Sequence, residues 1–214
     1  MLLEGFIRRT LAYLGGGSEG LSLDEYGAAL VSQLLPKYTK LAAGGMLYIV
    51  DTHAGTAKAP VVAPPTTSPE WAIYNYSNEE TLIVLKAALT LKSGTAGLGL
   101  ALMGAVAVGN QTAVTGDYAS TIKTCLDGSD KKPACWVTNN PTLINTPAWF
   151  PLAGTQVNSV ATDSVGDSLI GDPEGALQAK PNGGMVAFEA LGETGATALF
   201  TFAALIAMVR LNRG

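Results

Sequence analysis

The sequence predicts a mainly β protein, an antiparallel β-sandwich preceded by an N-terminal arm and a short α-helix. Three observations carry that reading. From Met46 onward the chain breaks into short runs rich in β-branched and aromatic residues, bounded by Gly, Pro, Asn or Ser. Pro141, Pro147, Pro151 and Pro173 exclude long helices from the middle of the chain, because proline lacks the amide that a helix interior needs. Only 14% of residues are charged, against roughly a quarter in an ordinary domain, while Gly, Ala, Thr and Val are abundant. That composition suits sheets packed on both faces or wide subunit contacts, and it does not suit disorder. The 214 residues suffice for one large β domain, or one domain with an appendage, whose core needs neither metal nor disulfide. The expected division is an arm and helix over 1–45 and a sandwich over 46–214, with a loop-rich insertion at about 110–175.

The first element is the arm, residues 1–17, which ends in Gly15-Gly16-Gly17. It does not read as a secretory signal, since Glu4 precedes the arginines and Arg8-Arg9 interrupt the apolar stretch. Ser22 and Glu25 then form a capping box, each side chain satisfying an orphan amide at a helix start. Leu23, Tyr26, Leu30, Val31, Leu34 and Leu35 follow at helical spacing and make one apolar face. Pro36 ends the helix, because the residue before a proline avoids helical dihedrals. Such a helix must lie against something: an end of its own sheet, or a partner surface.

Strands come next. "MLYIV" (46–50) is a short β-rich run, and "AKAPVVAPPTT" an extended, proline-rich connection or edge strand. Two strands are expected at 71–75 and 81–91, split by the polar turn Ser77–Glu80. "LIVLKAALTL" has helix-forming Leu and Ala, yet its β-branched start and the Gly and Thr that follow favour a strand. "GLGLALMGAVAV" continues as another strand. Inside 110–175 only "STIKTCL" and "ACWVT" look β-like. "KPNGG" (180–184) is a tight turn, Asn182-Gly183 supplying the positive φ that a hairpin needs. "MVAFEAL" and "ATALFTFAALIAMVRL" read as a final pair of strands. The uncharged run 195–209 is shorter than the roughly 20 apolar residues of a membrane span, so a buried strand is expected and no membrane partner.

The sequence shows no catalytic constellation, no metal site and no cofactor motif. His53 is the single histidine; Asp51 shares its strand face, but no G-x-S-x-G elbow accompanies the pair. One His and two Cys are too few for a structural zinc. Cys125 and Cys135 flank "LDGSDKKPA", read as a hairpin loop across whose stem the thiols could face each other, so a disulfide and two buried free thiols both stay open. Asp163, Asp167, Asp172 and Glu174 lack the spacing of a calcium loop and read as solvated carboxylates. Trp71, Trp136 and Trp149 with Tyr74, Tyr76 and Tyr118 suit a sandwich core, a subunit contact or a sugar site. A net charge of −4, with basic clusters no larger than the pairs Arg8-Arg9, Lys131-Lys132 and Arg210 with Arg213, argues against a nucleic-acid footprint.

Several phrases together resemble a group of bacteriophage virion proteins. They are the helix followed by "LLPKYTKLAAGGMLYIV", then "APPTTSPEWAIYNYSNEETLIVL", the "KPNGG" turn and the apolar closing strand. In that group a helix leads into a jelly-roll-like sandwich, a phrase of the type tLyNp.gSGk.lvl opens the sheet, and a Pro-Pro-Gly-Gly turn precedes the last strands. Here Tyr74-Asn75 and Ser77 match, Glu79-Glu80 stand for Gly-Lys, and the turn is Pro181-Asn182-Gly183-Gly184. The likeness covers roughly 20–108 and 176–210 and leaves the insertion unaccounted for. It implies a jelly-roll-like, non-enzymatic virion component, a capsid decoration or cement protein or a spike. Its implied partners are its own copies, as a homotrimer, and the major capsid protein or other virion proteins. The rival expectation is a receptor- or carbohydrate-binding module that uses loops 110–175, with a host-surface glycan as partner.

Overall fold

The structure, a computed structural model, describes residues 36–95, 99–114, 116–118, 120–154, 168–193 and 197–211. The chain divides into Met1–Thr39 and Lys40–Gly214. The expected helix, with Leu23, Tyr26, Leu30, Val31, Leu34 and Leu35, lies outside the described residues, as do Asp163 and Asp167. A one-turn helix, α1 (Thr39–Ala43), follows Pro36, and the turn after it contains Gly45, whose φ of 63° only glycine adopts freely.

Eleven described strands follow: β1 (Leu47–Asp51), β2 (Trp71–Asn75), β3 (Thr81–Ser93), β4 (Ala101–Val106), β5 (Ile122–Cys125), β6 (Cys135–Asn139), β7 (Phe150–Gly154), β8 (Ser168–Gly171), β9 (Leu177–Ala179), β10 (Gly184–Leu191) and β11 (Leu199–Val209). They form two antiparallel sheets. Sheet one has the order β5-β1-β11-β3-β8, with β9 also on β3; sheet two has the order β6-β2-β10-β4-β7. Setting β5, β6 and β9 aside, β1-β11-β3-β8 faces β2-β10-β4-β7. This is the winding of a jelly roll: a long hairpin pairing β1 with β11, β2 with β10, β3 with β8 and β4 with β7, rolled into two layers.

Alternation along each strand builds the core. Tyr48 and Val50 of β1, Phe200, Phe202, Ile206 and Met208 of β11, Trp71 and Ile73 of β2, and Val186 and Phe188 of β10 meet between the sheets. In β3 the inward set changes phase, from Leu82 and Val84 to Ala87, Leu89 and Leu91. A bulge opposite Leu205 and Ile206 causes this, inserting Leu85 into the ladder.

Two expectations need correction. "KPNGG" is a tight turn with φ of 59° at Asn182 and 100° at Gly183, but it carries the chain between sheets, from β9 on β3 to β10 on β2. Likewise β10 and β11 belong to different sheets and do not pair. The segment 110–175 is loop-rich, yet it places β5 and β8 in sheet one and β6 and β7 in sheet two. Its loops also cover sheet two: Leu143, with Val114, Trp136 and Trp149, packs on Ala72, Tyr74, Met185 and Ala187. Burial on both faces is why every residue of β2 is buried.

Candidate functional site

Among the described residues, loops cover the outer face of sheet two, whereas that of sheet one shows exposed apolar side chains. Ile49 points away from the core between Tyr48 and Val50, and Ile170 does so beside Leu169. Register carries this row across the sheet: Ile49 lies opposite Leu205, Ala203 opposite Ala88, and Ala88 opposite Ile170. Ile122 extends it past Asp51 on β5. Ile49, Ile122 and Ile170 are 39%, 53% and 60% exposed, and Ile83, Ala88, Ala203 and Leu205 are half-buried. Charge is sparse here. Lys86 meets Asp172 at 3.6 Å, and Asp51 at the rim holds His53 through Oδ1···Nδ1 at 2.5 Å. Two residues further, Glu174 donates its backbone N–H to Asp172 in a turn.

The sandwich edges carry features that oppose strand addition. On β6, the N–H of Val137 donates to Asp117 Oδ1 at 2.8 Å and Val137 O accepts the Tyr118 N–H at 2.6 Å. Lys132 Nζ donates to the β5 carbonyl of Lys123 at 2.7 Å. At the far edge β7 carries Pro151, which has no N–H to offer, and β8 is four residues long. Association by strand addition is therefore blocked where Lys132, Asp117 and Tyr118 stand.

Beside the open face, Ala54, Gly55, Thr56, Lys92, Ser93 and Leu199 line a shallow hollow of about 620 Å³. Lys92 Nζ donates there to Gly55 O at 2.9 Å and His53 O at 3.2 Å, holding the loop after β1 to β3. Among the described residues no three His, Cys, Asp or Glu side chains come together as metal ligands, and no helix is long and apolar enough to cross a membrane. The closing apolar run is β11, the central strand of sheet one.

The cysteines do not face each other across a hairpin: β5 pairs with β1 and β6 with β2, in opposite sheets. Both thiols are free and buried, and burial pushes Cys135 up to about 12. Lys123, itself buried, bridges the layers by donating to Cys135 O at 2.5 Å and pairing with Asp117 at 2.7 Å. Its ammonium lies 4.7 Å from the centre of the Trp136 ring, against which Tyr76 also packs at 4.7 Å. Tyr76 is exposed, Trp71 and Tyr74 are buried, Trp149 donates to Pro65 O, and Tyr118 OH bonds both Thr56 N and O. Five of the six aromatic candidates thus serve packing or loop anchoring, and Tyr76 alone among them is exposed.

One residue of the matched phrase, to which the sequence analysis gave no structural role, organises the motifs. Asn75, fully buried at the end of β2, donates Nδ2–H to Glu80 O at 2.8 Å, Ala179 O at 3.0 Å and Lys180 O at 3.2 Å, and its Oδ1 accepts Ser77 N–H. The Gly183 N–H returns to Asn75 O and the Asn182 N–H to Ser77 O. The "YNYS" phrase and the "PNGG" turn, a hundred residues apart, are one hydrogen-bonded unit. An asparagine at a strand end before a serine turn was the available signal.

The chain matches no protein-family model and no curated protein. Among solved structures it is similar to a chain described as "Structure of infectious bursal disease virus Gt strain", at 13% identity and a TM-score of 0.18. The alignment covers 93% of this chain and 48% of that one, so this chain spans about half the length of its match. The fold assignment rests on strand order, not on that likeness.

Proposed function

We propose that this chain is a non-catalytic structural subunit of a virus particle, a decoration or cement component (or spike) of tailed-bacteriophage type. It assembles as a homotrimer and attaches to the capsid lattice by non-covalent contact. The observation that carries this reading is the thinly charged apolar face of sheet one, running from Ile122 through Ile49 and Leu205 to Ile170, on a jelly roll whose β5 and β6 edge is capped by Lys132, Asp117 and Tyr118. Apolar area with little charge is what the core of a protein–protein contact needs. The two phrases that resemble those of phage virion proteins are the ones that Asn75 joins, which also supports the reading.

Light scattering of the purified chain in plain buffer tests it. A mass about three times the 22.0 kDa chain is expected, falling to one chain in Ile49→Lys and Ile170→Glu. A monomer that also fails to bind particles lacking it would refute the proposal. The receptor- or glycan-binding reading draws on exposed Tyr76, Val108, Ile144 and Phe150 in and near the 110–175 segment. Glycan capture lost in Tyr76→Ala, with assembly untouched, would favour it.

A further inference from the structure

Strand β10 outlasts its neighbour β2. Their ladder ends at Phe188 and Trp71, and past that point the segment 58–70 takes over as a strap. Val61 donates its N–H to Ala190 O at 2.8 Å, and the Gly192 N–H donates to Val61 O at 3.0 Å. The start of the strap is held to sheet one, where Lys58 and Phe200 exchange backbone bonds of 2.8 and 2.7 Å. Further along, Pro65 O accepts Trp149 Nε1–H and Thr67 O accepts Leu143 N–H. One segment thus ties together both sheets and the loops covering sheet two.

At the join stands Glu189, 1% exposed, turned away from the core between Phe188 and Ala190. Its Oε2 accepts the Glu70 N–H at 2.9 Å and its Oε1 the Ala190 N–H at 3.1 Å. The Glu70 carboxylate pairs with Lys58 at 2.7 Å. Two carboxyls and one ammonium share a largely dry site, so ionising both acids leaves one negative charge without a counter-ion. The facing groups are few. Strand β4 presents Met103 opposite Glu189, the strap presents Lys58 and Glu70, and no other titratable side chain among the described residues acts on it.

We propose that Glu189, Glu70 and Lys58 form a pH-responsive latch: protonated Glu189 lets the strap lie closed on β10, and its ionisation beside Glu70 loosens the strap and the cover it anchors. Burial pushes the Glu189 carboxyl up to about 7; its two amide bonds oppose the rise, and the Glu70 charge adds to it. With the strap open, water returns the group to its ordinary 4.5. Below that value both forms hold the proton and nothing changes. Between 4.5 and about 7 only the closed form holds it, so opening grows by up to roughly tenfold per pH unit. Above 7 both forms are ionised and the dependence ends. The cover is tightest in acid.

Hydrogen exchange of the full chain, corrected for intrinsic rates and followed from pH 4 to 8, tests this. Protection of the Val61, Glu70 and Gly192 amides should fall on the order of a hundredfold across the window, while β11 amides hold theirs. Glu189→Gln should flatten that profile and keep the strap protected at pH 8. Should that variant fail to fold, Glu70→Gln serves: removing the like charge should move the midpoint to lower pH. A flat profile in the native chain, or a slope or midpoint that neither substitution moves, would overturn the latch.

Discussion

Replacing Phe202 by alanine strikes the centre of the sandwich. The ring is fully buried, its centroid 4.6 Å from that of Phe188 and 5.9 Å from that of Trp71, so it links β11 of sheet one to β10 and β2 of sheet two. Deleting a buried phenylalanine ring costs about 3–5 kcal/mol, from lost transfer energy plus the cavity left behind. The strand itself should persist, because Thr52 Oγ1 holds the Phe202 backbone through bonds of 2.8 and 3.0 Å that need no ring. For a chain of this size about 2–4 °C accompanies each kcal/mol, so a midpoint drop of about 6–20 °C is expected. Against a net stability of about 5–15 kcal/mol that is a large fraction. Urea unfolding followed by tryptophan emission measures it, with an unchanged denaturant slope showing that the end states are the same. Phe202→Leu should lose less than half as much. A loss below about 1 kcal/mol in Phe202→Ala would refute the inter-sheet ring cluster.

Other consequences are equally open to measurement. Asn75→Ala should cost about 2–4 kcal/mol, because the buried carbonyl of Ala179 and the part-buried ones of Glu80 and Lys180 lose their donor; Asn75→Asp should be as damaging, a carboxylate having no N–H to give. Gly184→Ala places a methyl 2.5 Å from Lys180 O and should destabilise by on the order of 2 kcal/mol or more, seen in the same urea titration. A thiol reagent should titrate neither cysteine in the native chain and both in denaturant, with Cys135 unreactive up to pH 10; a non-reduced mass two hydrogens lighter would contradict free thiols. Because Glu189 is raised from 4.5 to about 7, its contribution is fully present below pH 4.5 and is lost as pH rises through 7, so global stability in Glu189→Gln should be flatter across that window than in the native chain.

Strands whose boundaries are set by turn chemistry were legible in the sequence. Ser77–Glu80 separates β2 from β3, and Pro181–Gly184 precedes β10, as the turn residues dictate. Partnership was not legible. Nothing local distinguishes a turn that folds a strand back on its neighbour from one that crosses to the other layer, so Cys125 and Cys135 looked like a stem. Strand β3 was ambiguous because its Leu and Ala favour a helix, and the bulge at Leu85, which shifts its inward set, could not be read from the sequence. The insertion seemed loose because its strands are four or five residues long and lean on strands far away in sequence. The open face of sheet one was hidden because Ile49 and Ile170 gain meaning only through register. Glu189 gave no sign of burial beyond its apolar neighbours.

The pairing of β1 with β11 has a consequence for how the subunit is made. Thr52 and Phe202, which bond each other, stand 150 residues apart in the chain. Sheet one therefore cannot close while the ribosome is still adding β11, and at about 5–20 residues per second that leaves several seconds in which β1 has no central partner. Strands paired at such separation also fold slowly, since a long loop must close before its contacts form. The same delay postpones the row of Ile49, Leu205 and Ile170, which exists only once β11 is threaded between β1 and β3. A nascent chain thus carries no finished adhesive surface, and neighbours meet it only after its synthesis has passed β11.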